Sequence, residues 1–219
     1  MSKVLITGAN RGIGLELCTQ LVARGDEVIG VCRQSSEPLS GLGVRVIKGI
    51  DVADDNSIVG LQDQLSGEHL DWVINNAGVL SVESLDSLDY SAIERQFRIN
   101  ALGPLRVTSA LLPNLSSGSK VGIVTSRMGS VADNSSGGYY GYRMSKAAVN
   151  MAGMSLAKDL QGRGVAVALL HPGMVATEMT GLRGIAPSEA ASGLIDRMNE
   201  LNMDSSGGFW HAQGERLPW

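Results

Sequence analysis

One regularity constrains this chain more than any other: short, nearly continuous apolar runs alternate with stretches of helical spacing. The runs are Lys3–Thr7, Glu27–Cys32, Val44–Lys48, Leu70–Asn75, Lys120–Thr125, Val165–His171 and a short one near Phe209. Ile13, Leu17, Leu21 and Val22 stripe the first intervening stretch. Ile58, Leu61 and Leu65 stripe a second, with Asn56 or Ser57 as its cap. Ile93, Phe97, Leu102, Leu105 and Leu112 run through the crossover after the fourth run, and Ala147, Met151, Met154 and Ala157 line a later helix. Strands that are apolar throughout must be covered on both faces, which calls for helices on each side of a parallel sheet. The expectation is an α/β, doubly wound parallel sheet of about seven strands joined by right-handed crossovers. No linker or repeat interrupts the pattern, so residues 1–219 read as a single domain.

Composition narrows the function classes. Glycine supplies 28 of 219 residues, about twice its usual ~7% share. There is no collagen period, and 43% hydrophobic content argues against a flexible glycine linker. Net charge is −4 with no basic run, so neither nucleic acid nor an anionic membrane is an expected partner. The longest apolar run, Val165–Leu170, falls far short of the ~20 residues that cross a bilayer. Met1–Thr7 reads as a strand, not as a secretion signal. Two cysteines, Cys18 and Cys32, make neither a disulfide framework nor a metal site. These features together suggest a cytoplasmic protein with no metal.

Directly after the first strand comes Thr7-Gly8-Ala9-Asn10-Arg11-Gly12-Ile13-Gly14, which opens a helix. Glycines there let the backbone turn sharply and approach a pyrophosphate, and the helix N-terminus offers free N–H groups. The spacing is GxxxGxG rather than GxGxxG, so its context carries the inference: a strand, a turn and a helix in that order. The reading is a Rossmann-type dinucleotide site over Gly8–Gly14. An NAD site places an acid at the end of the second strand, about 20 residues on. Here Arg33 stands 19 residues after Gly14. Arginine suits a 2′-phosphate, and Arg11 offers a second cation. NADP(H) is therefore the expected cofactor.

Tyr142 and Lys146 are four residues apart, which places phenol and ammonium on one helix face. A nearby cation favours phenolate and lowers the tyrosine pKa, which suits proton exchange with an alcohol or carbonyl. Of its neighbours, Tyr139 has Arg143 at that spacing and Tyr140 has Met144. The fifth strand ends in Val124-Thr125-Ser126, where an open α/β sheet binds its ligands. A hydroxyl there can steady a substrate oxygen. Ser130 is the rival.

Taken in order, these pieces resemble the short-chain dehydrogenase/reductase family along essentially the whole chain. The other matching segments are Asp51-Val52, Asn75-Asn76-Ala77-Gly78, Asn100, and Pro172-Gly173-Met174-Val175-Ala176-Thr177. The resemblance implies that Asp51 and Val52 hold adenine. Asn76, Ala77 and Gly78 would lie against the adenosine side, and Val175 and Thr177 would hold the carboxamide. Asn100 would hold a water that links Lys146 to solvent, Lys146 would also bind the nicotinamide ribose, and Tyr142 and Ser126 would be the proton and oxyanion donors. Asn75 and Asn100 also have bland readings, a strand end and a helix polar group bonded to a main-chain carbonyl. The commonest members carry the serine 13 residues before the tyrosine. Here that position is Gly129, and an insertion within Asp133–Gly138 restores Ser126.

The segments Thr7–Glu16, Ser126–Ser130, Tyr140–Arg143, Gly208–Trp210 and Gly214–Trp219 are similar to C-factor-type or sniffer-type carbonyl reductases. Only about ten residues, 178–188, remain for a substrate lid. The resemblance implies reduction of a ketone or aldehyde by NADPH. A 3-oxoacyl-thioester reductase, with Arg127, Arg143 and Arg183 facing an acidic carrier, and a cofactor-binding signalling protein are the alternatives. It also implies a homo-oligomer, a dimer or tetramer, and the face Ala147, Ala148, Met151, Ala152 and Ser155 would suit helix packing, against a second copy or its own sheet.

Overall fold

In the computed structural model, which describes residues 1–219, each apolar run becomes a strand. They are β1 (Lys3–Thr7), β2 (Glu27–Cys32), β3 (Arg45–Lys48), β4 (Trp72–Asn75), β5 (Lys120–Val124), β6 (Ala166–His171) and β7 (Gly208–His211). All pairs are parallel, and the sheet order is β3-β2-β1-β4-β5-β6-β7. The order reverses between β1 and β4, which opens a crevice at their carboxyl ends. Seven helices intervene: α1 (Gly12–Ala23), α2 (Glu37–Gly41), α3 (Asp55–Gln64), α4 (Tyr90–Phe97), α5 (Gly103–Ala110), α6 (Tyr140–Asp159) and α7 (Pro187–Glu200). None is long and apolar enough to cross a membrane.

The alternating strand residues feed two cores. Val4 and Ile6 join Leu17 and Leu21 of α1, Leu39 of α2, and Leu194 and Met198 of α7 in a cluster of 21 buried residues. Leu5 points the other way, into a cluster of 27 with Leu61 of α3, Val107 of α5 and Val149 of α6. Every return from a helix to the next strand contains a glycine at positive φ: Gly25, Gly43, Gly67, Gly118, Gly164 and Gly207. At Gly25, Gly43 and Gly164 the left-handed backbone directly follows the helix C-cap or forms the cap of the last turn and sends the chain back toward the sheet. Much of the glycine excess is therefore structural.

Four expectations need correction. Asp54 caps α3 by accepting from the N–H groups of Asn56 and Ser57. Ser57 instead accepts from Asp51 N–H and donates to the Gly49 carbonyl. Between α4 and α5 the helix widens into a π turn, Arg98–Leu102. The extra residue per turn rotates the buried face onto Gln96, Ile99, Asn100, Ala101 and Val107, which leaves Phe97 and Leu105 exposed. On α6 the sheet-facing side is Ser145, Val149, Asn150, Gly153 and Leu156, whereas Met151 is exposed.

The last correction concerns handedness. Helices α1 and α2 cover one face as the chain moves toward β3, and α3, α5 and α6 cover the other as it moves toward β6. Helix α7 lies on the α1 face although β7 continues outward beyond β6. The β6–α7–β7 crossover therefore has the opposite hand to the rest, an exception to a strong rule. After β6 the chain first crosses the crevice, where Thr177 meets Gly12. The chain then descends beside α1.

Candidate active site

The glycine turn is tied down from below. Thr7 Oγ1 accepts from the N–H groups of Asn76 and Ala77, and Asn76 Nδ2 donates to the Thr7 and Gly8 carbonyls. A Cβ at Gly14 would lie 2.2 Å from the Gly8 carbonyl oxygen, so no larger residue fits. Helix α1 follows an extended N-cap, Arg11, that makes no side-chain cap bond, and has no acid in its first turn. Its N-terminal donors are thus left for an external acceptor, and phosphate oxygens fit them. Ile13 packs beside the α1 core, and the Asn10 carbonyl accepts from Ser36.

At the ends of β2 and β3 an open cleft is lined by Arg33, Asp51 and Ala53 and by five residues of α4 and the π turn, Ser91, Glu94, Arg95, Arg98 and Ile99. Arg98 donates to the Ala53 carbonyl at 3.0 Å. No local rule of the sequence marks Arg95 and Arg98, which join Arg33 and Asp51 only through the packing of α4 and the π turn beside this cleft. Val52 lies underneath, buried against Gly103. Arg11 does not reach this cleft. Its guanidinium pairs with Glu178, which docks the 178–180 turn on the glycine turn. That turn is closed by reciprocal bonds between Thr177 and Thr180. Val175 is buried and bridges to Ile185, and Pro172 and Gly173 carry the chain between β6 and this turn.

The residues expected to react, Ser126, Tyr142 and Lys146, meet at the end of β5. Ser126 lies near enough to the Tyr142 hydroxyl to favour its phenolate form, and its Oγ accepts from Met128 N–H at 3.1 Å. Ser130 Oγ accepts from Asp133 N–H. Gly129 cannot be serine, since a Cβ there would lie 2.6 Å from the Lys146 carbonyl carbon. Arg143 holds the intervening loop through the carbonyls of Gly137 and Met128 and the Ser136 hydroxyl. Arg127 pairs with Asp133 and Glu215.

Lys146 is buried, and its Nζ donates to the Val124 carbonyl at 3.0 Å and lies 5.6 Å from the Tyr142 ring centre. Burial pulls its pKa down to about 8. Burial pushes the Tyr142 phenol up to about 12, against the smaller opposing effect of the nearby Ser126. The expected lowering by the lysine is absent, because desolvation disfavours both charged forms. Asn100 sits in the π turn. Its side chain clasps Val79 through both backbone groups, 2.9 and 2.8 Å, and donates to Ser145 Oγ. A Cβ at Gly78 would lie 3.3 Å from Asn100 Oδ1 and 3.8 Å from Lys146 Nζ. Asn75 bonds Thr108, a structural pair below the site.

A family model described as short chain dehydrogenase matches residues 2–185. This protein belongs to the short-chain dehydrogenase family. Among curated proteins, the 1-hydroxy-2-glutathionyl-2-methyl-3-butene dehydrogenase of Rhodococcus sp. (strain AD45) is 47% identical, with all of both chains covered. C-signal of Myxococcus xanthus is 49% identical over 68% of this chain and 93% of its own. An NADPH-bound carbonyl reductase from chicken fatty liver superposes with a TM-score of 0.90 at 27% identity, covering 100% of this chain and 99% of the other. The dehydrogenase fold accounts for the hydroxyl pair, the buried lysine and the uncapped helix lying at one rim of the sheet.

Proposed function

We propose that the protein is an NADPH-dependent reductase of ketones or aldehydes, reversible toward alcohol oxidation. The observation that carries this reading is the meeting of Ser126, Tyr142 and Lys146 beside the uncapped glycine turn. When bound, NADPH supplies the hydride. Gly8–Gly14 and the α1 N-terminus would hold its pyrophosphate, Arg33 its 2′-phosphate, with Arg95 and Arg98 as further cations, and Asp51 and Val52 its adenine. Asn76, Ala77, Gly78, Pro172, Gly173, Val175 and Thr177 would line its remaining length, and Lys146 would take the ribose hydroxyls.

Reduction needs a proton donor that is still protonated at working pH. A phenol near pKa 12 keeps its proton, and Ser126 is placed to steady the developing alkoxide and share the load. Lys146, charged below about pH 8, offsets the phenolate that forms. Asn100 would hold the water through which the lysine side exchanges protons with solvent. The face Ala147, Met151 and Ser155 of α6 is left partly uncovered and is offered as the surface on which a second copy packs.

The test is NADPH and NADH oxidation over a panel of aryl ketones, aldehydes and a carrier-bound 3-oxoacyl thioester. The expected result is turnover of the small carbonyls with NADPH preferred, and a weakened preference in Arg33→Asp. Tyr142→Phe should lose at least ~100-fold in kcat with NADPH binding intact; retained turnover would overturn the assignment. A second reading runs the same site toward oxidation of an alcohol bearing a glutathionyl thioether. It is favoured by the 47% identity to the Rhodococcus dehydrogenase over the full chain. Adding such an alcohol with NADP⁺ to the panel separates the two directions. Tight NADPH binding with no turnover of any member would favour the signalling alternative.

A further inference from the structure

Between the segment after β4 and the start of α6 runs a buried hydrogen-bond chain that the chemistry above does not use. At its centre is the Glu83 carboxylate, 3% exposed, beside Gln96, 1% exposed. One Glu83 oxygen accepts from Ser81 Oγ at 2.6 Å and from Gln96 Nε2 at 2.8 Å. The other accepts from the Gly141 backbone N–H at 3.1 Å. The Glu83 carbonyl accepts from Tyr139 N–H at 2.9 Å. Gln96 Oε1 takes Ser81 N–H, and four residues on Asn100 grips Val79. Residues 79–83 are thus laced to α4 and the π turn on one side and to α6 on the other.

Helix α6 has no cap of its own. Tyr139, at its N-cap, has left-handed backbone (φ 52, ψ 41) and no side-chain cap bond. Glu83 supplies the cap from 58 residues upstream, placing a carboxylate where the helix dipole favours one. The fit is tight, since a Cβ on Gly141 would lie 2.3 Å from Gln96 Nε2 and 3.0 Å from Ile93 Cα. Tyr142 is the next residue. Burying an acid costs more than an exposed Ser or Asp cap would, and what this one adds is a fixed position. We propose that Glu83, held by Gln96, is a positioning residue that sets the first turn of α6 and so brings the Tyr142 hydroxyl against Ser126. This rests on the reductase reading above.

The experiment uses the full chain, at a temperature where circular dichroism shows each variant folded. In Glu83→Gln, a new NH₂ faces the Gln96 NH₂, and one acceptor is lost. In the swap Glu83→Gln/Gln96→Glu, an acceptor again faces a donor, and Gly141 N–H keeps its partner. The single variant should lose about 10-fold or more in kcat, the scale of a sub-ångström to ångström misplacement. Its KM for the carbonyl and its NADPH Kd should stay within roughly two-fold, while amide exchange at Gly141 and Tyr142 quickens. The swap should recover most of the lost kcat and the slow exchange. Wild-type kcat and exchange in Glu83→Gln would overturn the proposal. So would a loss spread equally over kcat, KM and Kd that the swap does not repair. If the wild type itself turns over no carbonyl, the reductase reading fails, and amide exchange still decides whether Glu83 holds the helix start.

Discussion

At the scale of single residues, the site is governed by what burial does to two neighbours. Lys146 has a pKa of about 8 in the folded chain against 10.5 unfolded. Below pH 8 both states are protonated and the cost of burying the charge, about 3 kcal/mol, is fully present. Between 8 and 10.5 the unfolded chain binds more protons, so stability rises with pH. Tyr142 acts above that window: with 10 unfolded and about 12 folded, its contribution is lost as pH climbs from 10 to 12. Lys146→Met should therefore abolish turnover yet raise Tm at pH 7 by about 2–5 °C, after allowing for the bond lost to Val124. The stability gain of the native chain between pH 8 and 10.5 should vanish in that variant; calorimetry across pH checks both. In the kinetics, kcat/KM for NADPH reports the free protein and should fall above about pH 8, as the Lys146 charge is lost.

At the scale of elements, the 3₁₀ turn that carries Ser126 packs directly on the backbone of α6. Gly129→Ala would press a methyl onto the Lys146 carbonyl group and Ala147 N, at 2.6–2.9 Å. Backbone cannot yield as a side chain does, so the expected cost is about 1–3 kcal/mol. Activity should fall with it, as Ser126 shifts from Tyr142; paired Tm and kcat measurements check this. The central strands were legible because they are apolar on both faces, a pattern that survives any tertiary context, and the edge strand β3 by its Val46-Ile47 pair between exposed Arg45 and Lys48. The Ser126, Tyr142 and Lys146 grouping was legible because strand ends and helical spacing are local rules. Helix faces were not legible where the helix departs from its period, as at Arg98–Leu102, or where the buried side is small and polar, as with Ser145, Asn150 and Gly153. Glu83 gave no signal, since a lone acid in a loop shows nothing of the helix end it will meet. The phenol pKa was misread because spacing reveals the neighbouring cation but not the loss of water.

At the scale of the whole molecule, every group assigned to chemistry lies at the carboxyl rim of the sheet, and binding there should brace all of it. The glycine turn, the 178–180 turn and the end of β5 come from distant parts of the chain. NADPH at 100 times its Kd should add about 2.7 kcal/mol, a Tm rise of about 5–10 °C for a chain of this size. NADH at the same concentration should give a smaller shift if Arg33 selects the phosphate; differential scanning fluorimetry reads both. The reversed hand of the β6–α7–β7 crossover belongs to this scale, because it is a property of the chain path across the crevice and beside α1 rather than of any one element.

The two cysteines described above have a practical corollary. Cys18 and Cys32 are both buried, and burial raises both thiol pKa values, that of Cys18 to about 12. Maleimide chemistry needs an accessible thiolate, so the native chain should be nearly inert to it. Ser66 is exposed, on the return to β4 at the rim opposite the reacting groups. A single thiol made by Ser66→Cys would be a unique handle. Protein tethered through it should keep its full solution turnover, with the working rim turned toward the bulk.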